Sequence, residues 1–173
     1  MMHAELPTHR CHAAIRREAA PGTPITVLHI GAEHTVVTTG ADAPVTHILA
    51  IGSRKIASGW LRHSPPTPLE MEQAIAAVED EIMPLHARLQ GGSALYTSDA
   101  AVTDMRALAG EPDAQLSIQG VERLFNMLAA VSAGSPASQA RLPLDGGFYA
   151  TVLILREFMH HLGFASVGLC AAI

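Results

Sequence analysis

His29, Glu33 and His34 lie within six residues of one another. Two imidazoles and a carboxylate at that spacing could hold a divalent metal or act as acid and base. They sit between two apolar runs, so they occupy a strand–turn–strand tip, and a polar hairpin tip whose side chains point apart accounts for the same residues. Arg54 and Lys55 form the only adjacent basic pair of residues 25–173. Either could hold an anion, and a solvated strand end explains them equally. Gly146 and Gly147 follow Asp145 at the start of a long apolar segment. Glycines at a helix N-terminus can receive an anion; Asp145 also reads as an N-cap with the glycines allowing close packing. His160 and His161 are adjacent on that helix and point about 100° apart, so they cannot chelate one ion together. Residues 8–12 (THRCH) carry further metal-ligand types, which would need a fourth ligand and fixed geometry to make a zinc site. Ser53 and Ser98 lack a Gly-x-Ser-x-Gly context, so no serine hydrolase is expected.

The elements that must position these residues are legible from pattern. Residues 25–30, 35–39 and 45–51 are short runs rich in Val, Ile and Thr, stopped by Gly31, Gly40 and Gly52. They read as three consecutive strands of an antiparallel meander, with residues 54–57 continuing the third or beginning another. At residues 64–68 (SPPTP) the period changes. Thr67 caps a helix, Pro68 takes its first position, and Met71, Ile75, Val78, Ile82 and Leu85 form its apolar face, with Pro84 shortening its end. Residues 93–97 read as a brief strand. Asp99 caps a helix to about Leu108 and Ser117 caps the next. Residues 144–162 hold the longest helix, stopped by Gly163, and residues 164–173 close the chain as a strand. The order is β-β-β-α-β-α-α-α-β, an α/β domain with a mixed sheet.

Residues 1–24 read as a flexible tail, because residues 20–24 (APGTP) break any regular element and no apolar stripe precedes them. The domain then spans 25–173. The 173 residues suit one domain, and 49% hydrophobic against 16% charged residues predicts a real core. A net charge of -5 excludes a strongly basic nucleic-acid footprint. No run approaches the ~18 apolar residues of a membrane span. Cys11 and Cys170 lie at opposite ends, so a disulfide scaffold is not expected and a reducing cytoplasm is.

That order and those residues resemble the C-terminal half of the exopolyphosphatase/guanosine-pentaphosphate phosphatase family, which has the ribonuclease-H-like, actin-like ATPase fold. The family's Asp-Ile-Gly-Gly-Gly-Ser-Thr loop corresponds to residues 29–35 (HIGAEHT), its Leu-Gly-x-x-Arg to residues 51–55 (IGSRK), and its Gly-Gly-Thr to Thr97, Ser98 and Asp99. The family's last helix and its Val-Ser-Asp-x-Gly strand fall near residues 144–146 and 165–169. The resemblance covers residues 25–173. It implies that Gly31, Thr97 and Ser98 occupy anion-binding loops, joining Lys55, Gly146 and Gly147, and that Asp99 joins His29, Glu33 and His34 as a candidate for metal or acid–base chemistry.

Departures from the family are physical. His29 replaces an Asp, Ala32 and Glu33 replace glycines, and Glu33 and Asp99 place negative charge where phosphate would sit. The family's cleft lies between two halves, and this chain corresponds to one. The resemblance therefore implies a non-catalytic or regulatory relative, acting through self-association or a partner that supplies the other half. The alternative is a phosphoanhydride or phosphoester hydrolase with its cleft between subunits. No cofactor is expected beyond an optional divalent metal. Neither nucleic acid nor membrane is an expected partner. A homodimer is expected because Val152, Leu153, Leu155, Phe158 and Met159 cover more than one face of the longest helix.

Overall fold

A computed structural model describes residues 6–89 and 91–171. The three leading runs form β1 (Ile25–Ile30), β2 (Thr35–Gly40) and β3 (Val45–Leu49), an antiparallel meander as expected. β1 pairs in parallel with β4 (Ala94–Thr97), and β4 in parallel with β6 (Ser166–Leu169). A short β5 (Gln115–Ser117) runs antiparallel to β6. The six strands make one mixed sheet in the order β3-β2-β1-β4-β6-β5. β1, β3, β4 and β6 therefore run the same way, and their C-terminal ends share one edge.

Strand alternation divides the residues between two faces. Leu28, Val37, Leu95, Leu116 and Val167 point to the larger core with the helices α2 (Ser53–Trp60), α3 (Pro68–Ile82), α5 (Ile118–Ser132) and α7 (Gly146–Leu162). Ile25, Val27 and Tyr96 point to the other face, where α1 (Pro7–Glu18) covers them. α4 (Ala100–Leu108) and α6 (Ala137–Ala140) complete the helices.

The cap signals of Thr67, Ser117 and Asp145 hold, while the Asp99 side chain does not cap its helix. Glu70 N–H donates to Thr67 Oγ1 at 3.2 Å and Thr67 N–H to Glu70 Oε2 at 2.9 Å, a full capping box with Pro68 in the first turn. Gly120 N–H donates to Ser117 Oγ at 3.0 Å, and Phe148 N–H to Asp145 Oδ1 at 2.9 Å. Gly163, at φ 76°, ends α7 in the left-handed region that glycine favours. After α3, Pro84 lies in a 3-10 turn, Met83–Ala87. Among the described residues no helix is long and apolar enough to cross a membrane.

Several expectations are corrected. The flexible tail over residues 1–24 is not what residues 6–24 form; residues 1–5 of that segment lie outside the described residues. Pro7 starts α1, and Thr8, Cys11 and His12 are buried on its inner face. Small polar groups, not an apolar stripe, hold it down. Thr38 Oγ1 donates to Thr8 Oγ1 at 2.9 Å, and the His12 ring bonds the Gly40 carbonyl at 2.9 Å. Arg16 ties the end of α1 to the Thr23 carbonyl at 2.8 Å and to Ala19 and Ala20. Thr8, Cys11 and His12 thus serve packing, and residues 8–12 are not gathered into a metal site. The expected β-β-β-α-β-α-α-α-β order also omitted α1, α2, β5 and the four-residue α6. Residues 53–60 are helical because Ile56 and Ala57 pack inward one turn before Leu61. β5 was missed because it has three residues. Residues 172–173 of the expected last strand lie outside the described residues.

The excess apolar surface expected on the longest helix is absent too. Val152, Leu153, Leu155, Phe158 and Met159 are each at most 1% exposed. α7 is the central helix of its layer, and α2, α3 and α5 of the same chain cover its remaining faces.

Candidate functional site at the strand ends

The shared C-terminal edge gathers the β1–β2 turn, the start of α2, the β4–α4 junction and the start of α7. Asp99 stands at the N-cap position of α4, but its side chain does not cap that helix. It crosses to β1 instead. His29 Nδ1 lies 2.5 Å from Asp99 Oδ1, and Ile30 N–H donates to Asp99 Oδ2 at 2.8 Å. Thr97 Oγ1, fully buried, receives Asp99 N–H at 3.1 Å and fixes the turn. A carboxylate only accepts, so Nδ1 carries the proton of the neutral imidazole. Nε2 is left facing Gly31, where an added Cβ would lie 3.6 Å from it.

The second half of the site is the turn over residues 31–34. Gly31 N–H donates to the His34 carbonyl at 3.0 Å. The Gly31 carbonyl accepts from Ser53 N–H at 2.9 Å, and the Ala32 carbonyl accepts from Arg54 N–H at 2.9 Å and Lys55 N–H at 3.1 Å. The turn therefore satisfies the first N–H groups of α2, which a helix leaves open to an anion. Glu33 Oε1 lies 2.6 Å from Arg54 Nε, and both side chains are exposed.

The sequence candidates thus divide. The structure brings His29 and Asp99 together, with Thr97 and Gly31 beside them. It does not bring His29, Glu33 and His34 together: Glu33 turns to Arg54, and His34 is exposed at the tip. Lys55 contributes its backbone N–H to the turn and its side chain to solvent. Ser98 links Thr97 to Asp99. Gly146 is close to α2, since a Cβ there would lie 3.1 Å from Ala57 Cβ. Gly147 follows the cap, and its carbonyl accepts from Thr151 Oγ1 at 2.9 Å.

Asp99, through its hydrogen bond first and its charge second, raises the His29 pKa above its ordinary 6.5 against the opposing effect of burial. A histidine with a raised folded-state pKa stabilises the fold fully below its unfolded value, and that contribution fades as pH rises through the folded value. Asp99→Asn should bring the His29 titration, followed by NMR, back towards 6.5. The stability gap between wild type and variant should be widest near pH 5 and narrow above about 6.5. A gap that stays constant across that range would show that the ion pair does not form.

A second polar cluster escaped sequence reasoning. Glu157 is 2% exposed and lies between Arg156, 2.5 Å from its Oε1, and His161, 3.1 Å from its Oε2. His161 Nε2 also meets Glu79 of α3 at 3.0 Å, and Arg156 reaches Glu122 and stacks over Phe125. Burial pushes the Glu157 carboxyl up. The ligand atoms of Glu79, Glu157 and His161 converge within 4.8 Å. Arg156 already neutralises Glu157, so the cluster reads as a closed ion network joining α3, α5 and α7. It lies at the C-terminal end of α7, about 20 Å along the helix from its start. The signal available in the sequence was Glu157 and His161 four apart on an apolar helix. The adjacent His160 is exposed, as the 100° separation requires.

No protein-family model and no curated protein sequence matches the chain. Solved structures do. The Ppx/GppA phosphatase of Aquifex aeolicus superposes with a TM-score of 0.73 at 14% identity, over 97% of this chain and 60% of that one. An exopolyphosphatase from Cytophaga hutchinsonii gives 0.69 at 13% identity, over 95% and 60%. An exopolyphosphatase-like protein gives 0.68 at 14% identity, over 97% and 63%. The chain thus has the fold of the corresponding part of the Ppx/GppA structures, the actin-like ATPase fold. It spans about three fifths of their length.

Proposed function

We propose that this chain is a non-catalytic, exopolyphosphatase-like lobe that acts by binding a second protein surface, either another copy of itself or a partner chain. One observation carries the reading. The turn that would cradle phosphate directs its carbonyls of Gly31 and Ala32 into the first N–H groups of α2. An anion entering there would have to displace three backbone hydrogen bonds and approach the Glu33 carboxylate. The charges at the edge are also paired within the chain, Glu33 with Arg54 and Asp99 with His29. For association, β3 offers an edge of the sheet with Val45 56% and Ile48 64% exposed. An open strand edge can pair with another chain.

A second reading keeps phosphoanhydride or phosphoester hydrolysis, with a cleft completed by a second subunit. The His29–Asp99 pair favours it, because an imidazole oriented by a carboxylate is a general-base arrangement. Two measurements separate the readings. The purified chain with magnesium and long-chain polyphosphate should release no orthophosphate, and light scattering should give about twice the 18.2 kDa of one chain. Phosphate release that disappears in His29→Ala would replace the first reading with the second. A concentration-independent mass of one chain, with no partner required for any activity, would remove the association.

A further inference from the structure

Cys11 and Cys170 stand near opposite ends of the chain, yet the fold brings them together. Cys11 faces the sheet from α1 and is 2% exposed, packed with Ile25 and Val27. Cys170 follows β6 and packs against the same cluster beside Tyr96. Its position is fixed by its N–H, which donates to the Thr97 carbonyl at 2.8 Å, continuing the β4–β6 pairing by one residue. The two thiols thus meet in one small cluster, and both are free. They are also unequal. Cys170 is half-buried, while Cys11 is closed off from solvent.

We propose that Cys11 and Cys170 form a redox-modification site, at which a hydroperoxide converts the two thiols into a disulfide that straps α1 to the end of β6. Cys170, the accessible sulfur, attacks one peroxide oxygen as its thiolate. An S–O bond forms, the O–O bond breaks, and the departing hydroxide takes a proton to become water. Cys11 then attacks the Cys170 sulfenic sulfur. The S–S bond forms, the S–O bond breaks, and the leaving hydroxide takes the Cys11 proton as a second water. Both sulfurs are oxidised and both peroxide oxygens are reduced, so one hydrogen peroxide is consumed for each disulfide. Burial, above all, and the neighbouring Cys170 push the Cys11 thiol well up. That fits Cys11 as the resolving partner and makes its step the slower one. The strap would pin the helix that covers the back of β1, next to the edge that holds His29 and Asp99.

The test uses the full chain, reduced and desalted, with a small molar excess of hydrogen peroxide at neutral pH. Intact mass and unreduced peptide mapping should show the loss of two hydrogens and a Cys11–Cys170 linked peptide within one chain, reversed by dithiothreitol. Tm should rise by at least about 5 °C, because the bond closes a very long loop of the unfolded chain. In Cys170→Ser, Cys11 should stay a thiol under the same peroxide. In Cys11→Ala, Cys170 should pass on to sulfinic acid. Sulfinic acid on Cys170 of the wild type with Cys11 still alkylatable would overturn the proposal. So would a bridge only between chains, peroxide oxidation of Cys11 in Cys170→Ser, or an unchanged Tm in the bridged form.

Discussion

Deleting residues 1–24 should lower Tm by more than about 10 °C or prevent folding altogether. α1 is the cover of the second sheet face, and without it Ile25 and Val27, each 1% exposed, would meet water. Fully burying a side chain of that size is worth about 1.5–3 kcal/mol. The deletion also removes Cys11 and the half-buried Ile15 from the same cluster. It leaves the Gly40 carbonyl without the His12 ring and the Thr38 hydroxyl without Thr8. The combined loss is roughly 5 kcal/mol or more, comparable with the whole stability of many domains. At about 2–4 °C per kcal/mol for a chain of this length, the shift exceeds 10 °C. Circular-dichroism melts of the full and truncated chains decide it. A difference under about 3 °C would show that α1 does not hold the sheet.

The same helix shows where sequence reading stops. The sheet was legible because β1 and β2 are rich in Val, Ile and Thr and are each stopped by a glycine, a composition that favours strands wherever it packs. α3, α5 and α7 were legible because Thr67, Ser117 and Asp145 mark their starts and because their apolar residues recur at helical spacing. α1 carries neither signal. Its inner face is Thr8, Cys11, His12 and Ile15, and its polar groups become core only because Thr38 and the Gly40 carbonyl wait on the sheet for them. α2 failed for a related reason. Its start is capped by carbonyls of Gly31 and Ala32, some twenty residues upstream, and not by a local side chain. At the site, the types of His29 and Asp99 were legible but their pairing was not. They lie seventy positions apart, and only the parallel β1–β4 register places them side by side. Glu33, by contrast, was read as a charge facing phosphate, and long-range contact gives it Arg54 instead.

Gly52→Ala tests the contact on which the functional reading rests. Gly52 is buried immediately before α2, and its backbone is extended, at φ -156°, so conformation alone does not demand glycine there. Space does. A Cβ would fall 2.4 Å from the Ala32 oxygen, 2.5 Å from the Ala32 carbonyl carbon and 2.6 Å from the Glu33 carbonyl carbon. All three are backbone atoms, so no side-chain rotation relieves the clash, and the turn must move away from α2. Overpacking of this kind costs about 1–3 kcal/mol, and weakening the three hydrogen bonds to Ser53, Arg54 and Lys55 adds about 1 kcal/mol each. The expected result is a loss of about 4–6 kcal/mol and a Tm lower by about 10 °C or more. Gly59→Ala is the control in the same helix. Nothing lies within 4 Å of its added Cβ, so the change should be neutral or stabilise by up to about 1 kcal/mol. If Gly52→Ala melts with wild type, the turn does not press on α2, and the first N–H groups of that helix are open to an anion after all.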